Sequence, residues 1–212
     1  MNREDERRAQ IEQQLRRYLP KGTARYIAGL ITEEGVQFTV ARPRVSKLGD
    51  FRPGNRQRPT AISVNGDLNP YAFLITSVHE FAHHFCYKQF GGRVRPHGKE
   101  WKRIYTDMLR PFSEQGVFPD KIAEAVRKHL ESPSASSCSC PVLNKALALY
   151  DDRSTVFLDS LTVGTHFYFR NQSYAVAEKK RTRYLCKRLN DGRQYLISGR
   201  APVEVIAPTA GQ

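Results

Sequence analysis

Residues 75–92 read ITSVHEFAHHFCYKQFGG, and inside them His79, Glu80 and His83 form the pattern H-E-x-x-H. On a helix, positions four apart lie on one face, so both imidazoles can offer a ring nitrogen to a single ion. Glu80, one residue on, is placed to hold a water on that ion rather than the ion itself. Zinc with three protein ligands and an open fourth position lowers the pKa of its water toward neutrality, and a carboxylate can then take the proton. The competing reading is two histidines on an ordinary core helix. Ala72, Phe73, Leu74, Ile75, Val78, Phe81, Ala82 and Phe85 make this helix mostly apolar, and burying two imidazoles and a carboxyl there is costly without a metal. The stretch therefore predicts a zinc site built for hydrolysis.

A third ligand is needed. His97 follows His83 by fourteen residues, past a Gly91-Gly92 turn that lets the chain double back, and Gly98 gives backbone freedom beside it. Glu100 is the competitor, since a carboxylate serves as third ligand in some zinc peptidases. A compact H-x-x-G-x-x-H extension is absent, because Cys86 and Gln89 occupy those places. His97 is favoured. His84 points about 100° away from His83 around the helix and is expected to be structural or to support the ligands.

Outward from this stretch, Asn69-Pro70 is a strong helix start, an Asn cap followed by Pro at the first helical position. Upstream, residues 3–19 fit an amphipathic helix, and a second helix follows from a Thr23 cap to Gly35. VQFTVARPRV and TAISVNGDL alternate as strands do, and the basic segment KLGDFRPGNRQRP between them reads as loop-rich. Downstream, a helix begins near His97 and is expected to stop at Pro111; PDKIAEAVRKHL reads as a last short helix. ESPSASSCSCP then breaks the pattern, and residues 155–206 read as strands and turns, with a turn at Asn190-Asp191-Gly192. The expected organisation is 1–132 as an α+β domain and 133–212 as a small β-rich C-terminal module.

NGDLNPYAFLITSVHEFAHHFCYKQFGG followed by PHGKEWKRIYTDML resembles the SprT-like zinc metalloproteases, in which a helix bearing H-E-x-x-H is followed by a His-Gly-x-x-(Trp/Phe) segment. The resemblance covers roughly residues 20–115. It implies a zincin-like α+β fold with helices packed on a small antiparallel sheet, His79, His83 and His97 as zinc ligands, and Glu80 as catalytic base. The family includes Spartan-type proteases that degrade proteins covalently trapped on DNA, and bacterial members of poorly defined role. Many members end in a zinc ribbon with two cysteine pairs. Here Cys138-Ser139-Cys140 is followed only by Cys186, with Lys187, Arg188 and Leu189 after it, so the last ligand is missing. His129 or His166 are candidate substitutes in a degenerate ribbon; the simpler expectation is a small β-module with buried or free thiols. Cys86 is expected in the core.

The chain has 212 residues, long enough for a substantial core, and a formal net charge of +13. Such an excess favours polyanions such as nucleic acid. Two segments concentrate it: Arg42, Arg44, Arg52, Arg56 and Arg58 near the expected cleft, and Lys179, Lys180, Arg181 and Arg183 in the β-module. Both are candidate contacts for substrate or DNA; solvated edge strands would look the same. No apolar run of membrane-spanning length occurs, and the charged N-terminus lacks a signal-peptide core. The expectation is a cytoplasmic zinc metalloendopeptidase with a protein or peptide substrate. A nucleic-acid-binding protein with a structural or vestigial zinc site is the alternative.

Overall fold

The computed structural model describes residues 3–44, 47–131, 133, 140–151, 156–170 and 172–206. The chain forms two compact units, 1–151 and 152–212. The first is mixed α and β, and the second is built on strands, consistent with an α+β class.

In the first unit, helices α1 (Arg3–Leu15) and α2 (Ala24–Glu33) precede a three-stranded sheet of β1 (Gln37–Ala41), β2 (Gly49–Arg52) and β3 (Ala61–Asn65). β3 is central, parallel to β1 and antiparallel to β2, so the sheet is mixed rather than the antiparallel one expected. β2 forms between β1 and β3 in the chain and takes the other edge, which leaves β1 and β3 running the same way. The segment read as a loop thus contributes an edge strand, because Phe51 pairs opposite Ile62 and turns its ring toward the next helix. Period-2 patterning over four residues, amid Gly, Pro and Arg, is too short a signal to separate from a loop. Thr23, expected to cap α2, is instead helical in backbone, and its hydroxyl donates to the Pro20 carbonyl at 2.8 Å.

Helix α3 (Pro70–Phe90) is the spine of the unit. Its start behaves as the sequence predicts: the Asn69 side-chain oxygen accepts from the Ala72 N–H at 3.0 Å. The Asn69 amide also donates to the Leu147 carbonyl at 3.0 Å and to Asp151 at 2.6 Å, tying down α6 (Pro141–Ala148). At the other end Gly91 has φ of 61°, a conformation that closes the helix and favours glycine. Most of α3 is buried, as a helix apolar on all sides must be. Phe73 is fully enclosed, its ring stacked on Tyr18 at 5.3 Å, and Phe81 stacks on Phe38 of β1 at 6.2 Å.

Helix α4 (Lys99–Glu114) runs through Pro111 rather than stopping there. Proline removes one N–H from the ladder, but the last turn is held by packing: Phe112 is buried, edge-on to Tyr26 at 5.2 Å. Helix α5 (Asp120–Glu131) and then α6, which the sequence reading did not anticipate, complete the unit, with Ile122 and Leu143 fully buried.

The second unit is a six-stranded antiparallel sheet in the order β4 (Val156–Phe157), β9 (Pro202–Val205), β5 (His166–Phe169), β6 (Gln172–Lys179), β7 (Arg183–Arg188) and β8 (Gln194–Ser198). Phe167, Tyr174, Val176, Tyr184, Cys186 and Ile197 form its own small core. The predicted turn closes the β7–β8 hairpin, with Gly192 at φ of 71° and the Asp191 carboxylate accepting from the Arg193 N–H.

Candidate metal centre

His79 and His83 stand one turn apart on α3, and His97 ends the link from α3 to α4. His97 has φ of 59°, in the left-handed region. Histidine enters that region more readily than most residues, yet doing so costs energy that the surroundings must supply. The Gly98 N–H donates to the Arg95 carbonyl at 2.9 Å, and a Cβ at Gly98 would lie 2.9 Å from that oxygen. Glycine at 98 is thus needed for close approach. The tight turn it permits swings the His97 ring onto α3.

The three Nε2 atoms converge. The separations are 3.1 Å for His79–His97, 3.2 Å for His79–His83 and 2.9 Å for His83–His97. Four ligands around zinc at about 2.0–2.1 Å in tetrahedral geometry put nitrogens about 3.3 Å apart, close to what is seen. Three ring nitrogens packed into one triangle cannot satisfy one another by N–H donation, whereas one cation satisfies three lone pairs together. The protonation states agree. Burial first, then the neighbouring imidazoles, pushes His79 down to about 2 and His83 to about 4; burial lowers His97 too. All three rings are neutral at pH 7, as ligation requires. Among the described residues this is the one cluster of three or more metal-ligating side chains. Glu100 is not part of it.

Around the triad, two rings set the walls. Trp101, fully buried one turn after His97, has its ring 4.6, 5.2 and 4.7 Å from those of His79, His83 and His97. Phe51 of β2 stacks on His83 at 6.0 Å. The sequence shows Trp101 only as part of an apolar face, and nothing local marks Phe51, since its role depends on which strand lies beside α3. His84 faces away from the triad and pairs with Glu34 at 2.9 Å, with Lys88 on the same carboxylate at 2.7 Å. Its place is structural.

Glu80 is 6% exposed. Burial, reinforced by the Asp50 charge and opposed by Arg44 and Lys47, pushes its carboxyl up to about 8. A neutral carboxyl is what a buried acid becomes without a cation; a dication held by the adjacent imidazoles would favour the carboxylate.

The basic candidates fall on both units. Arg44 donates to Asn65 at 2.7 Å and to the Ser63 hydroxyl at 3.0 Å, fastening the segment after β1 to β3. Arg52 shares Asp50 with Lys47, while Arg42, Arg56 and Arg58 are exposed. In the second unit Lys180 pairs with Glu178, Lys179 lies over the Tyr184 ring, and Arg181 and Arg183 are exposed. Cys138 lies outside the described residues. Cys186 faces the core of the second unit, where burial pushes its thiol up to about 11. Cys86 is buried in the core of the first.

No family model and no solved structure matches the chain. Protein SprT of Glaesserella parasuis serovar 5 (strain SH0165) is 35% identical over 101 residues, 47% of this chain and 61% of the relative. Protein SprT of Pseudomonas aeruginosa (strain UCBPP-PA14) is 34% identical over 71 residues, 33% of this chain and 39% of the relative. These matches support a SprT-like family assignment. The chain spans less than two thirds of the length of these curated relatives. Among the described residues no helix is long and apolar enough to cross a membrane.

Proposed function

We propose that this SprT-like chain is a zinc-dependent metallopeptidase of the zincin type, cleaving peptide bonds with an activated water. His79, His83 and His97 would hold the zinc, for which three neutral imidazole nitrogens are a suitable donor set. When bound, zinc supplies a Lewis acid that acidifies water and polarises a carbonyl oxygen. Glu80 accepts the proton of the attacking water and returns it to the leaving amine. Trp101 backs the ligand rings and keeps bulk water from that side. The observation that carries this reading is the convergence of three Nε2 atoms within 3.2 Å, with the buried Glu80 following His79 in the chain. The test is a pair of measurements on purified protein. Elemental analysis should find about one zinc per chain in wild type and in Glu80→Gln, and only wild type should cleave an unfolded protein substrate. Zinc retained with undiminished cleavage in Glu80→Gln would remove Glu80 from this role.

The substrate class we favour is protein held at DNA. Its support is the net charge of +13 and the exposed Arg42, Arg56 and Arg58 on the unit that carries the site. DNA affinity should fall steeply with salt, and removing these three arginines should flatten that dependence. Salt-independent binding, or none, leaves a peptidase without this preference. Binding that persists in a protein with no peptidase activity would favour the alternative, a nucleic-acid-binding protein whose zinc is structural.

A further inference from the structure

Gly49 opens β2 opposite Val64 of β3. Its φ is not in the left-handed region, so backbone conformation does not require glycine here. Space does. A Cβ on Gly49 would lie 2.3 Å from Oε1 of Glu80 and 2.8 Å from both its Cδ and Cγ. Side-chain carbons do not approach other atoms that closely, and all three near atoms belong to one side chain. The Glu80 arm therefore lies along the bare backbone of β2 from its Cγ to its carboxyl oxygen. Neither partner is free to give way as a unit. The backbone of Glu80 belongs to the buried helix α3. The start of β2 is pinned because the Asn65 N–H donates to the Leu48 carbonyl at 2.8 Å and Asp50 is held by Lys47 and Arg52.

We propose that Gly49 is a positioning residue: the missing side chain on β2 is the seat that fixes where the Glu80 carboxyl can lie. This role presupposes Glu80 as proton acceptor in the reaction proposed above. Any other residue at 49 forces the carboxyl away from β2. To move from 2.3 Å to 3.4 Å, where ordinary contact begins, Oε1 must retreat by about 1 Å. A misplacement of about 1 Å in a reacting group costs on the order of 100-fold in rate.

The experiment compares Gly49→Ala, Glu80→Ala and the double variant, with zinc content and urea midpoint recorded for each. Gly49→Ala should keep its zinc and lose about 100-fold in kcat with little change in KM. A crystal structure of the zinc-free variant should show the Glu80 carboxyl displaced from β2. Glu80→Ala removes the Cγ, the Cδ and the carboxyl oxygens that the new Cβ would meet, so Gly49→Ala should lower the urea midpoint of wild type and leave that of Glu80→Ala unchanged. An equal shift of the urea midpoint in both backgrounds, an unchanged kcat, or a carboxyl at its original place would overturn the assignment. If Gly49→Ala does not fold, recovery of folding and zinc in the double variant supports the clash, and failure there overturns it. Full turnover by Glu80→Gln would instead remove the reaction while the zinc-free structure still decides whether Gly49 seats the carboxyl.

Discussion

In the metal-free chain, one carboxyl should make the stability of the fold decline between pH 5 and pH 8. Glu80 in the folded, zinc-free chain is pushed from an ordinary 4.5 to about 8, chiefly by burial. The folded state thus holds the proton that the unfolded chain gives up. This contribution is intact below about pH 4.5 and is lost as pH rises through the folded value. Between pH 5 and pH 8 the loss is about 3 kcal/mol, taking 1.36 kcal/mol per pKa unit. His79 and His83 act in the opposite sense. Their folded values are depressed to about 2 and about 4, so stability falls as pH drops below about 6.5, where the unfolded imidazoles charge.

The two effects are separated by Glu80→Gln, which keeps shape and removes the titration. Urea unfolding of zinc-free wild type and Glu80→Gln at pH 5 and pH 8 gives a difference of differences from which the histidine contribution cancels. The variant should gain about 3 kcal/mol on wild type between the two pH values. If zinc binds at the triad as proposed, its charge would favour the carboxylate, and the advantage should shrink or vanish. Parallel stability curves for the two zinc-free proteins would refute the reasoning, because they would mean the carboxyl is solvated rather than enclosed.

Other consequences can be checked separately. His97→Ala should lower bound zinc well below one per chain by elemental analysis after dialysis, since two ligands on one helix hold the ion poorly without the third; full retention would place the third ligand elsewhere. Phe73→Ala removes a fully buried ring stacked on Tyr18 and should cost about 3–5 kcal/mol by urea unfolding. Asn69→Ala loses the α3 cap and the bonds to Leu147 and Asp151, and should cost about 1–2 kcal/mol in the same assay. A chain ending at Asp151 contains every residue of the triad and Glu80, and should bind zinc as the full chain does.

The readable part of this protein is the part whose geometry is local. His79 and His83 share a face because a helix repeats every 3.6 residues, and Asn69-Pro70 announces where that helix starts; both follow from spacing alone. The place of His97 was suggested by Gly91-Gly92 and Gly98, residues whose lack of a side chain signals that the chain must bend sharply. What spacing does not carry is lateral neighbourhood. Whether β2 exists, and which of its faces meets α3, depends on its pairing with β3, some thirteen residues along the chain. Phe51 looks like one aromatic in a basic loop until that pairing puts it on His83. Pro111 looks like a stop until Phe112 is seen buried on the Tyr26 of another helix.

Gly49 is the sharpest case, because its contribution is an absence of atoms. A glycine at a positive φ declares itself by breaking a pattern, but a glycine in an ordinary strand conformation reads as nothing in particular. Its significance comes only from what lies opposite, and what lies opposite is Glu80. The motif on α3 therefore specifies the chemical groups, while the edge strand fixes where one of them can be. If so, the helix together with the turn that carries His97, grafted into a fold without a bare backbone beside the glutamate, should recover zinc binding but not rate. Affinity depends on three ring nitrogens that the helix and one turn can place, whereas rate depends on a carboxyl confined to about an ångström.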